Sequence, residues 1–313
     1  MSDLRQLPLF SNQPATVADL SVHTRLVHAI PFFQAHLRGQ GKTQHTIDAF
    51  TADLMLVTEY HGDQAALGWY TTTRLNDFLS WMEDRRGVPC SRKTYARRVT
   101  TLKVFFKWLT ETGVIPHDPA SALLQRSGPA PLASILTPDE VDAVLSVARG
   151  LRHGEKPDAR PEMLFRLIVG TGIKKSEAMT LTPEDIHPDG SGGLQVLIRH
   201  QGSKDRYRER YLPLDIEIQS ALDEYLAQYR PQTSLFTCTA RNLEYILEDL
   251  GKRAGLAQKI SFEMLRWTFG VRAYMLGEDP NTIREWLGLS EISWLETFGK
   301  IKQLAAKLSP ARV

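Results

Sequence analysis

Residues 260–301 read ISFEMLRWTFGVRAYMLGEDPNTIREWLGLSEISWLETFGKI. Apolar side chains recur at three- and four-residue steps through SFEMLRWTFGVRAYMLG, DPNTIREWLG and SWLETFGKIKQLAAKL, so the end of the chain is a succession of amphipathic helices. The last of these begins at LSEISWLETFGKI, and no tyrosine occurs in it.

Upstream the period changes once. GLQVLIRH (193–200) and RERYLPL (208–214) are short β-rich runs flanking QGSKDRY, a hairpin with a polar, basic tip. Helical patterns surround this hairpin: TPDEVDAVLSVARGL, RPEMLFRLIVGTG, DIEIQSALDEYLAQY and TARNLEYILEDLGKRAG. Thr137, Pro138, Asp139 and Glu140 form a helix start, with threonine as cap, proline in the first turn and acids following. Before it, Gly128, Pro129 and Pro131 interrupt regular structure, which places an interdomain linker at 127–135.

The first part is helical throughout, from VHTRLVHAIPFFQAHL through TQHTIDAFTADLMLVTEYH and TTTRLNDFLSWMEDRR to SRKTYARRVTTLKVFFKWLTETG. In the last segment Tyr95, Val99, Leu102, Phe105, Phe106 and Leu109 form the buried face, while Arg92, Lys93, Arg97, Arg98, Lys103 and Lys107 line the other. No acid occurs from Ser91 through Thr110, and that imbalance distinguishes the stripe from an ordinary solvated face.

The reading is a mainly α protein: an N-terminal tail at 1–20, a helical domain at 21–126, the linker, and at 136–313 a helical domain with a small β-sheet. A chain of 313 residues, 42% hydrophobic and 24% charged, suits two domains. Its net charge of +2 identifies no partner, so only local clustering speaks for nucleic acid. Cys90 and Cys238 match no metal or disulfide spacing and fit a reducing cytoplasm. The N-terminus lacks the apolar core of a signal peptide, and no apolar run reaches the roughly 18 residues of a membrane span. No glycine-rich phosphate loop, zinc spacing or Ser-His-Asp arrangement stands out, so neither cofactor nor metal is expected.

The order of segments TGIKKSEAMTLTPEDIH, basic hairpin, then residues 260–301 resembles the catalytic domain of the tyrosine recombinases, the phage integrase and Xer-like family. GKTQHTIDAFTADL, SRKTYARRVTTLKVFFKWL and GVIPHDPASAL resemble that family's helical, SAM-like core-binding domain. The resemblance implies a DNA-cutting chemistry in which a tyrosine hydroxyl attacks the scissile phosphodiester. Two arginines and a histidine hold the phosphate oxygens, a hairpin lysine protonates the leaving hydroxyl, and a second His or Trp completes the pocket.

Matched to those motifs, this chain offers Lys174 for the first arginine, Lys204 for the hairpin lysine, Glu263 for the histidine of His-x-x-Arg, Arg266 for its arginine, Leu289 for the Leu-Gly-His histidine and Phe298 for the nucleophile. A phenyl ring has no oxygen to attack with, and its bland role is a core aromatic. Lys174 keeps a charge but loses the planar fork of arginine. A carboxylate at 263, about 4 Å from a phosphate oxygen, meets about 4 kcal/mol of repulsion at an effective dielectric near 20. Arg266 either holds phosphate or neutralises Glu263, three residues away on the same helical face. Glu263 is then expected in a salt bridge with Arg266, Lys174 or Lys204.

No catalytic residue is expected on this reading, and double-stranded DNA is the expected partner, through Arg92, Lys93, Arg97, Arg98, Lys174, Lys204, Arg206 and Arg266. Arg199, Arg208 and Arg210 add charge to the hairpin, which Asp205 and Glu209 dilute. The favoured function is a non-catalytic, cytoplasmic DNA-binding protein, a structural partner of an active recombinase or a DNA-organising factor. The alternatives are an interaction module that docks its C-terminal helix into another copy or an active recombinase, and an active enzyme whose nucleophile is Ser293, Thr297 or Tyr274.

Overall fold

The computed structural model describes residues 14–124, 132–199 and 209–308, and the chain divides into two units, Met1–Ala130 and Pro131–Val313. Unit 1 is built from α1 (Leu26–Gly39), α2 (Gln44–His61), α3 (Thr72–Ser80) and α4 (Arg92–Glu111), with α3 running on into a π-helical turn at Trp81–Arg85. Side-chain oxygens of Thr43, Thr71 and Ser91 accept from backbone N–H groups three residues on, which starts α2, α3 and α4.

The periodic apolar positions of α4 are all buried, in one core with Leu26, Phe33, Leu37, Leu54, Val57 and Phe78. Phe33 and Phe105 meet edge to face at 5.1 Å between centroids. Two polar residues of α4 join that interior: Arg98 at 7% exposure and Thr101 at 0%.

Unit 2 opens with Leu132 and Ile135 packed against its C-terminal core, and the Leu136 N–H donates to Thr268 Oγ1 at 3.0 Å. The segment just before the first helix of unit 2 is therefore seated on that unit. Helix α5 (Pro138–Arg152) starts in a capping box: Thr137 N–H donates to Glu140 Oε2 at 2.8 Å and Glu140 N–H returns to Thr137 Oγ1 at 3.2 Å.

Helices α6 (Arg160–Thr171) and α7 (Lys175–Ala178) lead into an antiparallel sheet ordered β1 (Ile186–Pro188), β2 (Leu194–Ile198), β3 (Arg210–Leu214). Val196 pairs with both Ile186 and Leu212, and alternate residues of β2 are buried. β1 has no counterpart in the sequence reading, because three residues are too few to display alternation. Helices α8 (Gln219–Tyr229), α9 (Ala240–Arg253), α10 (Phe262–Met275), α11 (Pro280–Trp286) and α12 (Glu291–Leu308) follow.

One core joins α5, α6, the sheet, α8, α9 and the start of α10, and a second joins the rest of α10 with α11 and α12. Close approach in the second requires Gly270, where a β-carbon would stand 3.2 Å from Ile301 Cδ1. Among the described residues no helix is long and apolar enough to cross a membrane, and no group of three or more His, Cys, Asp or Glu is gathered to hold a metal ion.

Candidate functional site

Gly172 ends α6 in the left-handed region (φ 62°), turning the chain so that Lys174 precedes α7. A β-carbon at 172 would meet Phe269 Cδ1 at 2.5 Å, so the turn sits directly on α10. From α10, Arg266 reaches back under this turn: its Nη1 donates to the Gly172 carbonyl at 2.6 Å and its Nη2 to the Leu287 carbonyl just past α11. The loop after α6, helix α10 and the end of α11 are thus joined by one guanidinium.

A second guanidinium does the same from the sheet. Arg210 lies on the face of β3 that also carries Leu212 and Leu214, and it is half-buried, with 9% of its side chain exposed. Its Nε donates to the Trp286 carbonyl at 2.8 Å, and its terminal nitrogens donate to both oxygens of Glu177 at 3.2 and 3.0 Å. Glu177 is itself buried and accepts the Lys174 N–H at 2.8 Å, with Lys174 Nζ at 3.9 Å. Two arginines therefore hold the last carbonyls of α11, where the negative end of the helix dipole favours cations.

Burial pushes the Glu177 carboxyl up, but the charge and hydrogen bonds of Arg210, with the Lys174 N–H, outweigh it and hold the group below the ordinary glutamate value. Burial pulls Arg266 down to about 10, aided by the like charge of Arg210 and opposed by Glu177, so the side chain is a cation at neutral pH.

The structure brings Lys174, Arg266 and Leu289 into one neighbourhood through these contacts. Leu289 lies beside Arg210 in a cavity of about 440 Å³ between β3 and the turn after α11, also lined by Arg284 and the carboxylates Glu209, Glu285 and Glu291. The expected pairing of Glu263 with Arg266 or Lys174 is not found, and its third expected partner, Lys204, lies outside the described residues. Glu263 is exposed and makes no ion pair among the described residues, because Arg266 turns inward to backbone carbonyls instead of along its own helix. Lys204 and Arg206 lie outside the described residues, as does Arg208.

Phe298 is half-buried on α12, stacked on Trp294 at 5.0 Å, edge-on to Tyr274 at 5.7 Å, with Lys302 Nζ 4.9 Å from its ring centre. It occupies the aromatic edge of the C-terminal core. Of the substitute nucleophiles, Tyr274 is a member of that same stack. The Thr297 hydroxyl donates to the Ser293 carbonyl at 2.8 Å, and Ser293 Oγ accepts from Ser290 at 3.1 Å.

The pairing of Glu177 with Arg210 is not apparent from the sequence. Both left a signal: Glu177 stands at the capping-box distance from Lys174, and Arg210 has the inward parity of β3.

In unit 1, Arg92 and Lys93 are exposed at the start of α4. Arg97 and Arg98 are engaged within the unit. Arg97 Nη2 lies 3.0 Å and Arg98 Nε 3.4 Å from Oδ1 of the buried Asp53 on α2. On the hairpin side of unit 2, Arg199 pairs with Asp185 at 2.6 Å.

Comparison with known proteins matches residues 134–300 to the Phage integrase family and residues 30–113 to the Phage integrase, N-terminal SAM-like domain. Among curated relatives, Tyrosine recombinase XerC of Roseiflexus sp. (strain RS-1) is 28% identical over 283 residues, covering 86% of this chain and 87% of the relative. Tyrosine recombinase XerD of Listeria innocua serovar 6a is 24% identical over 282 residues, covering 86% of this chain and 92% of the relative. Among solved structures, the XerH site-specific recombinase bound to palindromic difH substrate matches with a TM-score of 0.68 at 20% identity, covering 95% of this chain and 85% of that one. The Tn1549 transposon integrase in complex with transposon right end DNA matches with a TM-score of 0.67 at 17% identity, covering 92% of this chain and 100% of that one.

Proposed function

The chain belongs to the phage integrase family of tyrosine recombinases, and from that premise we propose that it is a non-catalytic member that binds double-stranded DNA as a structural or accessory partner in recombination. The observation that carries this reading is Phe298, a ring without an oxygen, packed on Trp294 at the position the family's motif spacing assigns to the nucleophile. Three further positions support it. Lys174 replaces a forked donor with a single ammonium, Leu289 offers no hydrogen bond, and Glu263 presents an exposed carboxylate where an electrophilic donor is needed. Among the described residues, the cavity beside Leu289 carries the carboxylates Glu209, Glu285 and Glu291 beside Arg210 and Arg284.

DNA binding itself does not need that chemistry, since phosphate contacts from surface cations supply affinity without a nucleophile. Arg92 and Lys93 on α4, with Lys174, Lys204 and Arg206 in unit 2, are the proposed contacts, whereas Arg266, with its terminal nitrogens on the Gly172 and Leu287 carbonyls, is not among them. A second reading, a module that docks on another copy or on an active recombinase, is favoured by Ile292 and Leu295, three residues apart on α12 at 85% and 77% exposure.

A salt-titrated binding assay on linear duplex DNA separates the two. Each neutralised phosphate contributes about −0.9 to the slope of log K against log salt, so replacing Arg92 and Lys93 together by glutamine should flatten the slope by about 1.8. Folded protein that shows no binding at low salt refutes the DNA reading and leaves the docking module.

A further inference from the structure

Asp53 sits on α2 with 3% of its side chain exposed and faces two arginines that are adjacent in sequence on α4. Its Oδ2 accepts from Thr101 Oγ1 at 2.9 Å, and Thr101 is completely buried. Oδ1 faces Arg97 Nη2 at 3.0 Å and Arg98 Nε at 3.4 Å. One carboxylate opposed by two guanidiniums leaves the cluster one positive charge in excess, and the two cations are not equivalent.

Arg98 is 9% exposed and stays inside the unit, with Nε 3.4 Å from Asp53 and Nη1 donating to Cys90 Sγ at 3.2 Å. Arg97 is 38% exposed and is tethered on its inner edge only, through Nη1 to the Ala49 carbonyl at 3.0 Å and through Nη2 to Asp53. A guanidinium has five N–H donors, so these two tethers leave others for a ligand. Lys93 is exposed one helical turn earlier, on the same face of α4 as Arg97.

We propose that Asp53 is a positioning residue that assigns different tasks to the two arginines: Arg98 is its permanent internal counter-ion, and Arg97 is held in a fixed pose as a ligand for a backbone phosphate of nucleic acid. The proposal rests on the DNA-binding reading and refines it, since the basic face of α4 then contributes Arg92, Lys93 and Arg97 but not Arg98. Arginine held by a carboxylate meets a phosphate oxygen pair with its fork already oriented, so less side-chain freedom is lost on binding. The carboxylate is not left uncompensated when Arg97 engages a phosphate, because Arg98 and Thr101 stay on it.

The test is fluorescence anisotropy of a labelled mixed-sequence duplex across a potassium chloride series, with thermal unfolding of each variant as a control. Arg97→Gln should fold normally and flatten the log K against log salt slope by about 0.9. Arg97→Lys should keep the slope and weaken binding on the order of tenfold, because charge survives and orientation does not. Arg98→Gln should lower the unfolding temperature and leave the slope unchanged. Asp53→Asn, if it folds, should bind more weakly despite its added positive charge. A well-folded Arg97→Gln with the unmodified slope, an Arg97→Lys that binds as tightly as the unmodified chain, or an Asp53→Asn that binds more tightly each overturns the proposal. Failure of the unmodified chain to bind at all is a different result, which overturns the DNA reading and the proposal with it.

Discussion

Replacing Glu177 by glutamine removes one charge and almost no volume from the centre of unit 2. In the folded protein that carboxylate accepts two hydrogen bonds from Arg210 at 3.2 and 3.0 Å and one from the Lys174 N–H at 2.8 Å, with side-chain exposures of 6% for Glu177 and 9% for Arg210. An amide oxygen still accepts, but it cannot serve two donors on two oxygens, and it leaves Arg210 and Arg266 as like charges without the anion that offsets them. Breaking one side of a buried pair costs about 3–5 kcal/mol, and the isosteric amide places this case near the lower end, about 3 kcal/mol. For a unit of this size each kcal/mol lowers the midpoint by about 2–4 °C, so the calorimetric transition of unit 2 should fall by about 6–12 °C. The effect has a signed pH dependence. Because the folded carboxyl titrates below its ordinary value of 4.5, its stabilisation is complete above that pH and is lost as pH falls through the folded value, where the unmodified chain and Glu177→Gln should converge. A drop of less than about 1 kcal/mol at neutral pH, or a difference that does not shrink in acid, refutes the assignment of this pair as a principal tie of the unit.

Phe298→Tyr should yield no covalent adduct on a nicked suicide substrate resolved on a denaturing gel. Each missing donor costs about a hundred- to a thousandfold, so three altered positions, taken as independent, leave a deficit of about a millionfold at the least. An adduct from Phe298→Tyr alone refutes the dismantled-site reading, an adduct from the unmodified chain refutes the non-catalytic reading altogether, and only the combination with Lys174→Arg, Glu263→His and Leu289→His has a physical route to activity. In unit 1, burial of His61 among Tyr60, Trp69, Tyr70 and Phe78 pulls its imidazole below the ordinary value of 6.5, against the backbone of Arg74 and the charge of Asp77. The unfolded chain takes up that proton first, so the unit 1 transition should weaken as pH falls below 6.5, and His61→Phe should remove this part of the dependence; a His61→Phe profile parallel to the unmodified one refutes it.

The helical character of both units, the seated face of α4 and the helix start at Thr137 are legible, because each is written in local periodicity or in residues close in sequence. The chemistry of the arginines was not. Arg98 reads as one more cation in a basic stripe until Asp53 of α2 is placed beside it, and Arg266 reads as a partner for Glu263 until the Gly172 carbonyl, 94 residues earlier in the chain, is placed under it. Spacing along one helix ranks which side chains are able to meet, and tertiary contacts then decide which pairing wins. Phe298 shows the opposite case: an aromatic side chain that packs on a residue four positions earlier carries its structural role in the sequence itself.

The two guanidiniums at the end of α11 alter what a retained motif means. Arg266 and Arg210 close the carbonyls of Leu287 and Trp286, so a substitution at either would expose hydrogen-bond acceptors in the interior and loosen three elements at once. Folding alone is then reason enough for both side chains, whether or not any phosphate is ever bound. A cation at position 266 is therefore no evidence of turnover, since its contacts are explained by the fold alone.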